Sequence, residues 1–197
     1  MDLLLHWDEQ LFRLINGQWH TGWLDAVMPL WRDKLFWVPF YLALTAWSVW
    51  RYKWRGLVLI LFMGAAVAVS DPVSSQLFKK NVERLRPCRT PGLEESVHLL
   101  VPCGGGYSFT SSHATNHFAL AFFLIGTLGR RYRRWRWPLA LWAASIAYGQ
   151  VYVGVHFPLD VICGALLGAG IGAVVAYFYR KWDRISILNN DILTRSA

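Results

Sequence analysis

Uncharged apolar stretches recur along this 197-residue chain, separated by short basic breaks. Residues 36–50, 56–70, 118–129, 137–155 and 161–179 contain no Lys, Arg, Asp or Glu. A helix needs about 20 mostly apolar residues to cross a hydrocarbon core about 30 Å thick. With their aromatic and small polar flanks, these five stretches predict five transmembrane helices in an all-α, polytopic bundle. The second continues as helix toward Lys79. Residues 3–32 are less regular, because Arg13, Asn16, Asp25 and Arg32 interrupt Leu11, Leu14, Ile15 and the apolar positions that follow. That pattern predicts an N-terminal amphipathic helix at the membrane interface and a short helix leading into the first span. The alternative is a sixth span through the same residues. One domain over 1–197 is expected from the length.

Composition narrows the class. The chain is 55% hydrophobic and 16% charged, against about 25% charged in an average soluble domain, which excludes disorder. Three Cys are too few for a disulfide scaffold. A net charge of +8 leaves two readings, a basic nucleic-acid binder or a membrane protein with basic loops. Position decides between them. Arg51, Lys53 and Arg55, then Arg130, Arg131, Arg133, Arg134 and Arg136, then Arg180, Lys181 and Arg184 all fall on one side if five spans alternate. The positive-inside rule makes that side cytoplasmic. Trp50, Tyr52, Trp54, Trp135, Trp137, Tyr179 and Trp182 crowd the span ends, as interfacial aromatics do. The Arg-rich RRYRRWR segment is therefore a topology signal, and no nucleic-acid partner is expected. Asp2 and Asp8, with no basic region before an apolar core, argue against a cleavable signal peptide.

Polar chemistry gathers on the opposite side. Lys79, Lys80, Arg84, Arg86 and Arg89 form a cationic cluster. Three glycines, 104–106, precede Ser111, Ser112 and His113, which stand immediately before an apolar helix. The N–H groups and dipole at such a helix start favour an anion, although a serine there also serves as a plain cap. Asn116 and His117 follow one turn later. His156 and Asp160 share the next outward turn, with Pro158 suited to a helix start. An imidazole beside a carboxylate is a tuned nucleophile or base. Cations, a Ser-rich helix start with His, then His with Asp, describe a phosphate site with an acid and a nucleophile. His113 and His117 have an i, i+4 spacing that suits zinc, but the Glu of H-E-x-x-H is missing. No metal and no cofactor are expected.

Residues 56–180 resemble the type 2 phosphatidic acid phosphatase superfamily of membrane lipid phosphatases. Its K-x6-R-P motif is matched by Lys79, Arg86 and Pro87. Its P-S-G-H motif is matched in part by Thr110-Ser111-Ser112-His113. Its S-R-x5-H-x3-D motif is matched by His156 and Asp160, with Gly149-Gln150 where the family has Ser-Arg. The resemblance implies that His156 attacks phosphorus to form a phosphohistidine, Asp160 orients it, and His113 protonates the leaving oxygen. Lys79, Arg86, Ser111, Ser112 and Gln150 would surround the phosphate. Asn116 and His117, one turn beyond His113, are open to substrate contact or to helix packing. Gln keeps an amide but loses the charge and donor fork of Arg. Three outcomes are open: Arg84, Arg89 or Lys80 replaces the arginine, the substrate carries a different charge, or the protein is a weakened lipid-phosphate binder or transporter.

The sidedness implies a phosphorylated lipid at the periplasmic or external face of a bacterial inner membrane. Undecaprenyl pyrophosphate ranks first, then phosphatidylglycerophosphate, then lipid A. Cys88 and Cys103 both lie in the outer loop, where an oxidising compartment would let them form a disulfide; two free thiols are the alternative.

Overall fold

The computed structural model describes residues 2–195, and side chains within 3–184. Among these residues it is all helix and loop. Helices α1 (Asp2–Phe12) and α2 (Gly22–Trp31) form the N-terminal segment. Helices α3 (Val38–Tyr52), α4 (Trp54–Pro72), a short α5 (Lys79–Val82), α6 (Ser112–Gly126), a single turn α7 (Leu128–Arg131), α8 (Arg136–Tyr152) and α9 (Pro158–Arg195) follow. The five apolar stretches thus lie on α3, α4, α6, α8 and α9. Two continuous rods, Trp54–Val82 and Pro158–Arg184, are long and apolar enough to cross a bilayer. The first is α4 carried through a π-helical turn, Val73–Phe78, into α5, so Lys79 sits near its end. Pro72, which has no N–H to donate, stands just before that turn, where a change in hydrogen-bond register is accommodated.

Helix α6 is the centre of the bundle and packs most extensively on α9. The reason is a row of glycines on α9. A Cβ added at Gly168 would stand 2.1 Å from the Thr115 carbonyl oxygen, and one at Gly172 would stand 2.3 Å from that of Ala119. Small residues four apart let two helix backbones approach where side chains would hold them off. Leu59, Met63, Leu120, Phe123, Leu124 and Ala176 fill the middle of the bundle. Large apolar residues such as Leu42, Leu61, Leu141, Leu166 and Val174 face outward, as a lipid-facing surface requires.

The N-terminal segment covers the opposite end. Phe12 and Ile15 pack with Leu93, Ala114, Val151, Phe157 and Val161, while Leu3, Leu4, Leu5, Trp7 and Leu11 point outward. Helix α1 therefore has the expected apolar outer side. Its inner side carries a buried acid, Asp8, which apolar periodicity alone would not place there. The C-terminal end of α2 is pinned to α8, because the Trp31 indole donates to Ser145 Oγ at 2.9 Å.

Candidate active site

The helix starts of α6 and α9 meet at this end. Ser111 N donates to the Asp160 carbonyl oxygen at 3.0 Å, which fixes the two motif-bearing turns against each other. In the first turn of α9, the Asp160 carboxylate accepts from Phe157 N at 2.8 Å. This is the return half of a capping box. Asp8 Oδ1, reaching over from α1, accepts from Leu159 N at 2.8 Å. Two free donors of the α9 start are thus satisfied by carboxylates, one from its own turn and one from the N-terminal segment.

His156 is buried in the turn between α8 and α9. Its Nδ1 faces Ser108 Oγ at 3.3 Å and Asp160 Oδ2 at 3.5 Å. The Ser108 hydroxyl itself donates to Asp160. On the other edge of the ring, Nε2 lies 3.2 Å from Arg86 Nη1. A guanidinium donates and never accepts, so Nε2 is the acceptor and the proton belongs on Nδ1, beside the carboxylate. The ring therefore presents a lone pair at Nε2. Burial pulls its pKa from 6.5 down to about 4, with the Asp160 carboxylate opposing, so the ring is neutral at physiological pH.

The cations take separate places. Arg86 is buried, donates to the Val155 carbonyl at 3.0 Å, and leaves Nε without a partner. Burial lowers its pKa while Asp160 raises it. Lys79, at the start of α5, lies within electrostatic range of Arg86 and Asp160. Arg84 is otherwise engaged: it bridges Asp160 Oδ1 at 2.8 Å and Asp8 Oδ2 at 2.5 Å and lies over the Phe157 ring. Burial raises the pKa of Asp8, and the hydrogen bond from Arg84 opposes that rise. Lys80 and Arg89 are exposed. A disulfide joins Cys88 to Cys103, with Cα atoms 6.1 Å apart, and brackets Arg86 with the glycine turn, whose Gly105 carbonyl lies 3.5 Å from Arg86 Nη2.

The second motif is arranged differently from a simple ring of hydroxyls. Ser111 is buried and its Oγ caps α6 by accepting from Ala114 N. Ser112 Oγ pairs with Ser74 Oγ at 3.0 Å. The anion-binding capacity of this turn lies in the first N–H groups of α6, which have no partners within the helix. His113, in the first turn, is within electrostatic range of Arg32, His117, His156 and Lys79. Asn116 ties α6 to α4, accepting from Ser70 Oγ at 2.7 Å and donating to Asp71 at 2.9 Å. His117 turns Nδ1 to the His113 carbonyl oxygen at 2.8 Å and packs on Trp142. These contacts tie both residues into the packing around α6, and His117 Nε2 is buried without a partner.

Gln150 is fully buried, and its Oε1 accepts from Arg32 Nε at 3.0 Å. Arg32 follows α2 and lies within electrostatic range of Arg86 as well as His113. Burial lowers its pKa, with Asp33 opposing. Gly149 lies beside it, where an added Cβ would stand in ordinary contact, 3.4 Å from Arg32 Cβ. Both departures from the family motif therefore lie against Arg32, and the glutamine gives its guanidinium an acceptor. None of Arg84, Arg89 and Lys80 holds this place. Sequence reasoning missed Arg32, Asp8 and Ser108. The signals for them were slight, two charges breaking an apolar pattern and one serine in a Gly-rich stretch.

Residues 55–184 match the family model described as PAP2 superfamily. The chain is 31% identical over 177 residues to a lipid A 4'-phosphatase of Bacteroides thetaiotaomicron, covering 87% of this chain and 76% of that one. It is 32% identical over 166 residues to an undecaprenyl-diphosphatase of Sulfolobus acidocaldarius, covering 82% and 73%. Its fold is similar to the crystal structure of a transmembrane PAP2-type phosphatidylglycerolphosphate phosphatase from Bacillus subtilis, with a TM-score of 0.63 at 23% identity over 93% of this chain and 88% of that one. It is also similar to Aquifex aeolicus LpxE, with a TM-score of 0.57 at 26% identity over 87% and 93%.

Proposed function

The chain belongs to the PAP2 superfamily, whose members are phosphoric ester hydrolases, and from that premise we propose that it removes phosphate from a lipid through a phosphohistidine at His156. The observation that carries this is the orientation of that ring. Ser108 and Asp160 hold Nδ1, and the lone pair of Nε2 faces a guanidinium that would move onto a phosphate oxygen. Nε2 attacks phosphorus, the N–P bond forms, and the P–O bond to the lipid breaks. His113 gives its proton to the leaving oxygen. It then takes a proton from water, whose oxygen attacks phosphorus and breaks the N–P bond, releasing phosphate. Arg32, Lys79 and Arg86, with the first N–H groups of α6, hold the phosphate oxygens and stabilise their developing charge. Asp160 and Ser108 position His156, and Arg84 and Asp8 position Asp160.

We read five spans, on α3, α4–α5, α6, α8 and α9, with α1 and α2 at the interface and the site at the outer face of a bacterial inner membrane. The basic segments on the other side support that orientation. For the substrate, a phosphorylated lipid A-type glycolipid leads, because relatives from two organisms named lipid A 4'-phosphatase align over 87% and 92% of the chain. Undecaprenyl pyrophosphate, ranked first on sequence alone, is the second reading and rests on two relatives named undecaprenyl-diphosphatase. Phosphate release by purified protein from lipid A, undecaprenyl pyrophosphate and phosphatidylglycerophosphate tests both, with His156→Ala as control. Release from lipid A well above the others is expected. No release from any of the three would overturn the enzyme reading in favour of a lipid-phosphate binder.

A further inference from the structure

Three more side chains meet at the same end of the molecule, outside the phosphate site. His20 precedes α2, Asp25 lies in its first turn, and His98 lies in the long loop between α5 and α6. Asp25 Oδ2 is 3.3 Å from His98 Nε2 and 3.9 Å from His20 Nδ1. One ligand atom from each residue lies within 4.8 Å of the other two. A four-coordinate zinc ion with bonds of about 2.0–2.1 Å sets neighbouring ligand atoms roughly 3.3–3.5 Å apart. The Asp25–His98 separation already meets that value, while His20 Nδ1 at 3.9 Å from Asp25 Oδ2 would have to close in.

The surroundings hold these groups. Asp25 Oδ1 accepts from the buried Tyr152 hydroxyl at 2.6 Å, which leaves Oδ2 for the two imidazoles. The backbone of His98 is clamped by buried Asn16, whose Oδ1 accepts from His98 N at 2.9 Å and whose Nδ2 donates to His98 O at 2.8 Å. Asn16 also donates to the Tyr152 carbonyl at 2.7 Å. Thr21, next to His20, donates its N–H to Tyr152 Oη at 3.0 Å. Partners of this kind behind the ligands fix the orientation of a metal site. The His20 ring stacks on that of His98 with centroids 4.5 Å apart, so taking up one ion requires the rings to turn out of this stack.

We infer that His20, Asp25 and His98 form a binding site for a divalent transition ion of the zinc class, separate from the phosphate site. Two imidazoles and one carboxylate suit zinc, whereas calcium and magnesium take mostly oxygen ligands. Three protein ligands leave the fourth position to water. A bound ion would join the turn before α2, α2 itself and the outer loop, so it would brace the segment that ends at Arg32. The inference does not rest on the substrate or the reaction.

The test uses the full-length protein in detergent, stripped with a chelator and reloaded with Zn²⁺ or Co²⁺. About one equivalent of zinc per chain should survive desalting, and Co²⁺ should give the visible bands of a four-coordinate ion. His20→Gln with His98→Gln should lower zinc retention at least tenfold and abolish those bands. Both side chains are partly exposed, so the pair should fold, and circular dichroism checks that it does. Zinc retention equal in the wild type and the double variant, or none in either, would overturn the site.

Discussion

Residues 79–160 and residues 8–32 serve one site in different ways. The first stretch holds the two histidines proposed to react, His113 and His156, at the ends of α6 and α8–α9, each placed by short-range turns and caps. The second supplies Asp8 and Arg32 from outside the part of the chain that the family model matches. Its contribution is charge delivered across the fold. Asp8 reaches Arg84 over a separation of 76 residues, and Arg32 reaches Gln150 over 118. The contrast teaches that a site can keep its chemistry within a motif and take part of its electrostatics from a covering segment.

The largest effect should come from the motif side. His156→Ala should lower kcat by about 10⁴-fold or more, as loss of a nucleophile does, with folding intact. Acid-labile phosphate trapped on the wild type should be absent from the variant. Retained activity would move the reaction away from this turn. Acidity gives the next effect. Burial favours the neutral ring, so the nucleophile survives acidification through 6.5 and is lost only as pH falls through about 4. The log of kcat/KM should therefore bend near pH 4 and fall tenfold per unit below it. A bend near 6.5 would mean that His156 is not buried as described.

On the N-terminal side, Asp8→Ala should leave Arg84 with one carboxylate and the α9 start with one free donor. Breaking a buried pair costs about 3 kcal/mol, so unfolding in detergent should shift well beyond the effect of Glu9→Ala, which removes only a half-exposed pair with Arg13. Equal shifts would show that α1 only covers the site. The disulfide should matter least for chemistry. Closing a 15-residue loop contributes about 3 kcal/mol to stability, so Cys88→Ser should lower stability while keeping most of kcat. Peptide mapping without reductant should recover the linked peptides. Two alkylated thiols would contradict the bond.

These two regions also differ in how legible they were. Lys79 and Arg86 were told from three neighbouring cations only by the resemblance to K-x6-R-P. His113, His156 and Asp160 stood out because they lie at the ends of apolar stretches, the strongest signal a membrane chain carries. The helical bundle was readable for the same reason. The close packing of α6 on α9 was not, although Gly164, Gly168 and Gly172 lie in plain view, because a small residue signals a close approach only once its neighbour is known. For Ser111 and Ser112 the sequence left a phosphate contact and a helix cap both open, and the fold uses their hydroxyls on Ala114 and Ser74. Arg32 looked like a break in an apolar segment. Nothing local tells such a break from a residue that crosses to another helix; Gln150, its acceptor, is the mark it leaves there.

The central claim is that Arg32 supplies the positive charge that Gln150 lacks, and relocating the charge tests it most directly. Arg32→Gln should lower kcat/KM by about 10²–10³-fold, the effect of removing one transition-state donor. Adding Gln150→Arg to that variant should recover at least a tenth of the wild-type value, because the guanidinium then comes from α8. An Arg32→Gln protein as active as the wild type would contradict the claim, and so would a double variant no better than the single one.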